Sequence, residues 1–358
     1  MKLLKQLLTG IAVSASVIWT SAYAGCLDME RLTGVNVAGA EFNSSKLPGV
    51  VNKDYTYPRD SDLQFMAERG ANVIRFPFRW ERAQHELNGP LDTAELQRLK
   101  NTVAAAKALD LCVVLDAHNY AKYFGQNMAG RTDLQTGLVD FWLKMAKEFP
   151  DQTSVAFGLM NEPNYMPLAE WAPLAKRILA ELRQAGARNM ILIGGGGWSG
   201  LHSWFSERDG LSNALAFADV RDPLKATILE VHQYADSDYS GTKNECRDAD
   251  HFDPRFARIG EWAKANDQKL FLGEFGVPDN PVCLQALERM LSLTAGPEWT
   301  GWTYWAAGRW WGNYALALNT STTEPSAQWE IIIPHFYRGE RNDDSGHPPK
   351  PPVNPHTR

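Results

Sequence analysis

The chain has 358 residues, is 44% hydrophobic and 22% charged, and carries a formal net charge of −6. This is ordinary globular composition with ample length for a sizeable core. The acidic balance offers no basic face, which argues against nucleic acid or an anionic membrane as partner.

The chain opens on a targeting pattern. Lys2 and Lys5 precede an apolar run over 7–19, and Ala22-Tyr23-Ala24 forms a cleavage site before Gly25. The run is too short for a comfortable membrane span. The expectation is a signal peptide over 1–24 and a secreted protein. Tyr23-Ala24-Gly25-Cys26 faintly resembles a lipoprotein signal, but Tyr23 stands where a small aliphatic residue is expected. Periplasmic retention or lipid anchoring is therefore the lesser reading.

From there, eight short apolar runs alternate with helix-like segments. The runs are GVNVAG (34–39), NVIRFPF (72–78), CVVLDAH (112–118), VAFGLM (155–160), MILIG (190–194), ATILEVHQY (226–234), KLFLGEFG (269–276) and GWTYWAA (301–307). Near-continuous apolar runs suit strands covered on both faces. Between them, Leu134, Leu138, Phe141, Trp142, Met145 and Phe149 fall at three- and four-residue steps. Trp171, Leu174, Ile178 and Leu182 repeat that spacing, and a similar helix covers 91–109. Eight such alternations predict an α/β fold, a (β/α)₈ TIM barrel, over a doubly wound sheet. No composition break divides it, so one catalytic domain is expected over 25–338. The end from Gly339, rich in proline and charge, has no apolar period and reads as a linker-like tail.

In this barrel, chemistry sits at the carboxyl ends of the strands. Those ends carry Arg75 on the second run and Asp116, His118 and Asn119 on the third. Asn161 and Glu162 follow the fourth, His232 and Tyr234 the sixth, Glu274 the seventh, and Trp305 lies in the eighth. Taken singly, each has a structural explanation: an ion-pair arginine, a satisfied core histidine, an acid at a helix N-terminus. Together they converge on one mouth. Runs four and seven lie across it from each other and each brings a glutamate, and buried acids are costly unless paired or used. Two facing carboxylates suit glycoside hydrolysis, one protonating the leaving oxygen and the other attacking carbon or activating water. Pairing with Arg75 would keep Glu274 ionised, which makes it the nucleophile and Glu162 the acid/base.

LMNEPN around Glu162 and GEFG around Glu274 resemble the signatures of glycoside hydrolase family 5, the cellulase family of clan A. IRFPFRW at Arg75, LDAHNY at His118, VHQY at His232 and Tyr234, WTYWAAG at Trp305, and GVNVAGAEF at the first run match in the same order. The resemblance covers 32–337, and ADSDYSGTKNEC points to its endoglucanase subfamily. It implies a retaining double displacement on internal bonds of β-1,4-glucan. Asn161 would bind the sugar 2-hydroxyl, Arg75 and Tyr234 would position Glu274, His118 and His232 would line the cleaved-sugar subsite, and Trp305 would be its floor.

Thirteen Trp, eleven Tyr and fifteen Phe exceed what a core needs, and their faces suit the apolar faces of sugar rings. Trp198, Trp204, Trp310, Trp311, Tyr120 and Tyr123 follow strands three, five and eight. Trp198 and Trp311 are the expected binders, and part of the set is expected to be loop packing. The shared fold and acids leave mannan, xyloglucan and mixed-linkage glucan open as substrates. A non-catalytic polysaccharide-binding barrel would have lost an acid, and both are present. A monomer is expected.

No cofactor and no metal are expected. GGGWSG over 195–200 fits a dinucleotide loop only in isolation. A calcium loop starting at Asp236 fails at its twelfth position, Arg247. There is no HExxH for zinc and no Gly-x-Ser-x-Gly elbow. The four cysteines form no CxxC. Cys246 and Cys283 lie on the same face of adjacent units and are the expected disulfide, with Cys26 and Cys112 a second, weaker pairing.

Overall fold

The computed structural model describes residues 25–27, 29–320 and 324–339. The expected signal peptide and all of the tail beyond Gly339 lie outside these residues. The eight strands are β1 (Leu32–Ala38), β2 (Val73–Phe78), β3 (Cys112–Ala117), β4 (Val155–Gly158), β5 (Ile191–Gly194), β6 (Thr227–His232), β7 (Leu270–Glu274) and β8 (Trp299–Gly308). They close into one parallel barrel in the order β1-β8-β7-β6-β5-β4-β3-β2. The expected fold is therefore present.

Strand alternation sorts the side chains. Ile74, Phe76, Val113 and Leu115 face outward and join the main core beneath the helices. The helix Thr132–Glu148 buries Leu134, Leu138, Phe141, Trp142 and Met145, and the helix Leu168–Gln184 buries Trp171, Leu174, Ile178 and Leu182. Their indole N–H groups are spent on the strand ends: Trp142 donates to the Leu159 carbonyl at 3.0 Å and Trp171 to that of Gly194 at 2.7 Å. That fixes the ends of β4 and β5, from which site loops depart.

Inside the barrel the layers change character from bottom to top. Leu32, Val73, Val114, Ala156, Leu192, Ile228 and Phe271 form an apolar cluster sealed from below by Cys26 and Met29. Above it the inward residues become polar, beginning with Asn36, Arg75 and Glu230, all buried.

Some element ends differ from the sequence reading. Regular β4 ends at Gly158, although the Leu159 N–H still donates to the Leu192 carbonyl at 3.0 Å before the chain reaches Asn161. The helix expected over 91–109 spans Thr93–Lys107, because Asp92 caps it by accepting from the Glu95 N–H at 2.7 Å. A two-stranded hairpin, Lys122–Tyr123 with Gln126–Asn127, was not expected. Its strands are too short to show a period, and its turn needs positive φ at Phe124 (44°) and Gly125 (74°).

Both expected disulfides are present, Cys26–Cys112 and Cys246–Cys283. The first agrees with lipid anchoring being the lesser reading, since the Cys26 sulfur is bonded to Cys112. The bridges span sequence separations of 86 and 37. On loop entropy, the second should contribute about 3–4 kcal/mol and the first about 4–5. Denaturant unfolding of Cys246→Ser/Cys283→Ser is expected to show the smaller loss, and non-reducing peptide mapping should recover both linked pairs. Free thiols in exported protein would contradict both pairings.

Candidate active site

Arg75 is the centre of the polar layer. Its Nη1 donates to Asn36 Oδ1 and to Glu274 Oε1, each at 2.9 Å, and its Nη2 donates to Asn161 Oδ1 at 2.7 Å. Ion pairs reach Asp116 at 3.2 Å and Glu230 at 2.7 Å. Burial opposes its charge, but Asp116, Glu230 and Glu274 outweigh that and hold the guanidinium more firmly protonated than usual. Asn36 is oriented from behind: its Nδ2 donates to the carbonyls of Gly273, Thr303 and Tyr304, so its oxygen must face Arg75. Gly273 leaves the room that Glu230 needs, because an added Cβ would stand 2.1 Å from Glu230 Oε1.

Glu274 is held at both oxygens. Arg75 takes Oε1, and Tyr234 donates its hydroxyl to Oε2 at 2.8 Å. Burial and then the charge of Glu274 push the Tyr234 phenol well up, so it remains a donor. Glu162 is held differently. It stands in the left-handed region at φ 42°, on the turn after β4, with 14% of its side chain open to the cleft. Strained backbone of this kind persists where the surroundings enforce it. Here Asn161, one residue back, is pinned through its N–H to the Ala117 carbonyl and its carbonyl to the Tyr120 N–H. Burial, together with the charge of Glu274 and against the pull of His232, raises the Glu162 carboxyl to about 7.

The two histidines are in opposite states. His232 Nδ1 faces Glu162 Oε1 at 2.8 Å, and Nε2 faces Glu230 Oε1 at 3.2 Å. Burial disfavours its charge, but Glu274, Glu162 and Glu230 prevail and push it up to about 10, so both nitrogens donate. His118 donates from Nδ1 to Asp116 at 2.8 Å. Its Nε2 accepts from Asn161 at 3.2 Å and from the Tyr120 hydroxyl at 3.0 Å. Burial, aided by Arg75 and Arg79, lowers it well below the usual range and leaves it neutral.

One ligand-type atom each from Glu162, His232 and Glu274 lie within 4.8 Å of one another. The three groups are already joined to one another, His232 Nδ1 facing Glu162 Oε1 at 2.8 Å and Glu274 Oε2 at 3.6 Å. The arrangement is built to exchange protons and to set one held carboxylate beside one protonatable one.

The aromatic residues divide by depth. Trp305 is stacked on His118 (5.4 Å, 13°) and meets the edge of Trp311 at 5.8 Å. Trp198 is 41% exposed and Tyr165 37%, set edge to face at 5.7 Å. Gly197, at φ 66°, supplies the turn before Trp198, and the Ser199 carbonyl accepts from the His232 N–H, which locks this loop to the end of β6. With Tyr120, His202, Tyr239 and Glu162 they line a cleft of about 560 Å³, a size suited to a ligand site. Two expected rim residues are not there: Trp204 is fully buried against Phe217 and Trp262, and Tyr123 is buried against Trp80.

All the expected inward residues, Arg75, His118, Asn161, Glu162, His232, Tyr234, Glu274 and Trp305, thus gather at one end of the barrel. Glu230 and Asn36 were missed. Glu230 stands two residues from His232 on the same strand, a weak signal, whereas Asn36 sits in an apolar run whose facing only barrel closure fixes. Asp236 needs no cation: its carboxylate accepts from the N–H groups of Gly241, Thr242 and Lys243 and closes its own loop.

The family model described as cellulase (glycosyl hydrolase family 5) matches residues 35–309. The probable endo-beta-1,4-glucanase B of Aspergillus oryzae is 32% identical over 289 residues, covering 80% of this chain and 84% of its own. Among solved structures, an endo-beta-1,4-glucanase from Xanthomonas axonopodis pv. citri, carrying a triple mutation, is 43% identical with a TM-score of 0.83, over 86% of this chain and 100% of that one. XacCel5A in complex with cellopentaose is 43% identical with a TM-score of 0.82, over 85% and 99%.

Replacing Arg75 by Met should leave Asp116, Glu230 and Glu274 dependent on His232 as the nearby cation. A loss of about 3–5 kcal/mol is expected in denaturant unfolding. Arg75→Lys should recover little of it, since one ammonium cannot serve five acceptors on separate strands.

Proposed function

The chain belongs to the cellulase family, glycosyl hydrolase family 5, and from that membership we propose that it is an endo-β-1,4-glucanase cutting internal bonds of β-1,4-glucan with retention. Relatives named as endoglucanases over most of their length and a similar structure bound to cellopentaose support the substrate class. The observation that carries the mechanism is the close, asymmetric pair Glu162 and Glu274. Retaining enzymes hold their carboxyl groups about 5–5.5 Å apart and inverting ones about 6.5–9.5 Å. Oxygens within 4.8 Å fit the former.

In this reading Glu274, aligned by Arg75 and Tyr234, attacks the anomeric carbon while Glu162 gives its proton to the leaving oxygen. Asn161 keeps one Nδ2 hydrogen for the sugar 2-hydroxyl after the other is spent on His118. Trp305 supports the sugar undergoing attack, with His118 and His232 around it, and Trp311 packs behind Trp305. Trp198 meets the leaving portion of the chain, on the side of the acid. Once Glu274 is an ester, its negative charge is gone. That charge is one of the forces raising Glu162, so Glu162 becomes more acidic at the step where it must take a proton from water. The acid and base roles then follow from one residue whose neighbour changes charge. The export pattern together with two disulfides supports work outside the cytoplasm, free in solution.

Glu162→Ala should lose about 10²–10⁴-fold on cellulose yet release an early burst of phenol from an aryl cellobioside, whose leaving group needs no proton. Glu274→Ala should give no burst on any substrate. Equal behaviour of the two on the aryl substrate, or an inverted first-formed anomer by NMR, would overturn the roles.

The pH dependence has a definite sign. Glu162 is a proton donor below its pKa and not above it. Turnover of cellulose by the wild type should therefore fall as pH rises through about 7. The first step on the aryl substrate should lack that alkaline limb.

A further inference from the structure

One residue of the cleft wall is more constrained than a wall requires. β3 ends at Ala117, and the chain turns through His118 and Asn119 into Tyr120 and Ala121, both left-handed at φ 56° and 60°. For a bulky residue that conformation is an outlier, and it persists where the surroundings enforce it. Here the Tyr120 N–H donates to the Asn161 carbonyl at 3.1 Å, and the Tyr120 carbonyl accepts from the Tyr165 N–H at 3.3 Å. The ring is fixed as well. It meets Trp198 edge to face at 5.8 Å, crosses His118 at 80°, and has the Arg79 guanidinium over it at 5.6 Å. All of this delivers the hydroxyl to one atom, His118 Nε2, at 3.0 Å.

Resting on the glucanase reading, we propose that Tyr120 is a positioning residue: its hydroxyl sets how firmly His118 holds the Asn161 amide, and so how well that amide serves the sugar 2-hydroxyl. Nε2 of a neutral histidine has a single lone pair, in the plane of the ring. Two donors share it in His118, the Tyr120 hydroxyl and, at 3.2 Å, Asn161 Nδ2. The imidazole cannot turn to suit one of them, because its Nδ1 is held by Asp116 at 2.8 Å and its face is stacked on Trp305. At its other end the Asn161 amide is anchored, since Oδ1 accepts from Arg75 at 2.7 Å. The nitrogen end is therefore the part able to swing. The share of the lone pair left to it decides where its second hydrogen points.

Without the phenol, Asn161 has the lone pair to itself. A hydrogen bond that is no longer shared shortens, which draws Nδ2 toward His118 and turns the second hydrogen off the 2-hydroxyl. That contact strengthens in the transition state, so the change registers in the rate of attack. The hydroxyl stays a donor throughout the working range, because burial and the charges of Glu162 and Glu274 hold the Tyr120 phenol well above its usual pKa. Tyr120 thus acts on the sugar through Asn161 and not by touching it.

The test uses Tyr120→Phe, which keeps the ring and removes the hydroxyl. The substrates are an aryl β-cellobioside and the same compound lacking the 2-hydroxyl of the sugar under attack. Both are measured on one preparation, so the fraction of active enzyme cancels. Tyr120→Phe should lower kcat/KM on the 2-hydroxy substrate by about three- to tenfold, the effect of one modest hydrogen bond. The 2-deoxy substrate should be unchanged within error. In an Asn161→Ala background, the same substitution should have no effect on either. An equal loss on both substrates, or a loss that persists without Asn161, overturns the proposal, because the phenol would then act on the sugar directly or on the fold. A wild type indifferent to the 2-hydroxyl overturns the role given to Asn161, and the proposal with it. A wild type that cleaves neither compound overturns the glucanase reading itself.

Discussion

A single buried guanidinium sets the terms for the rest of the site. Arg75 has no exposure, and five side chains from other strands and strand ends converge on it. Three of them are acids whose charge would be costly in a dry barrel without it. Arginine suits the position because it does not lose its proton and its planar fork serves several acceptors at once. The apolar layer beneath, with Cys26 tied to Cys112, separates this cluster from solvent at the bottom. The described polar cluster opens toward the mouth, where 14% of the Glu162 side chain is exposed, and charges in so buried a layer act at short range and strongly.

The same arrangement separates two otherwise equivalent acids. Glu274 ends a barrel strand and receives a donor on each oxygen. Glu162 lies just beyond its strand, on a strained turn, and among the described residues its carboxylate is hydrogen-bonded to a histidine that is itself shared with Glu230. Fixed geometry suits a group that must be aimed. A raised and responsive pKa suits a group that must both give and take a proton. Neither property belongs to glutamate as such; each comes from which backbone element carries it and what stands beside it.

Around this rigid centre, the variable chemistry is carried by loops. Positive φ values gather there, at Tyr120, Ala121, Glu162, Trp198 and Ser199. Each presents or supports a side chain at the mouth. Their strain is borne by the barrel ends, through backbone bonds such as Asn161 to Ala117 and His232 to Ser199. Fixing such loops without adding regular structure is also the effect of the Cys246–Cys283 bridge, which ties the loop after β6 to the helix Pro281–Leu293.

The strands and their polar ends were legible from the sequence for a simple reason. A strand covered on both faces must be apolar almost throughout, so an acid, amide or histidine at its close stands out in the linear order. That is why Arg75, His118, Asn161, Glu162, His232 and Glu274 were found without coordinates. Glu230 and Asn36 lie inside such runs, and whether an interior residue faces the axis or the helices depends on pleat and register, which closure fixes. Trp198 and Trp204 are six residues apart in one loop of similar composition, yet one is open and the other sealed. Only the packing of Phe217 and Trp262 around Trp204 decides that. The sequence alone determined which strand ends carry polar residues, because strand periodicity is local. How close the two acids stand, and how differently each holds its proton, was decided by the tertiary structure, because distance and burial between residues 112 positions apart exist only once the ring is closed.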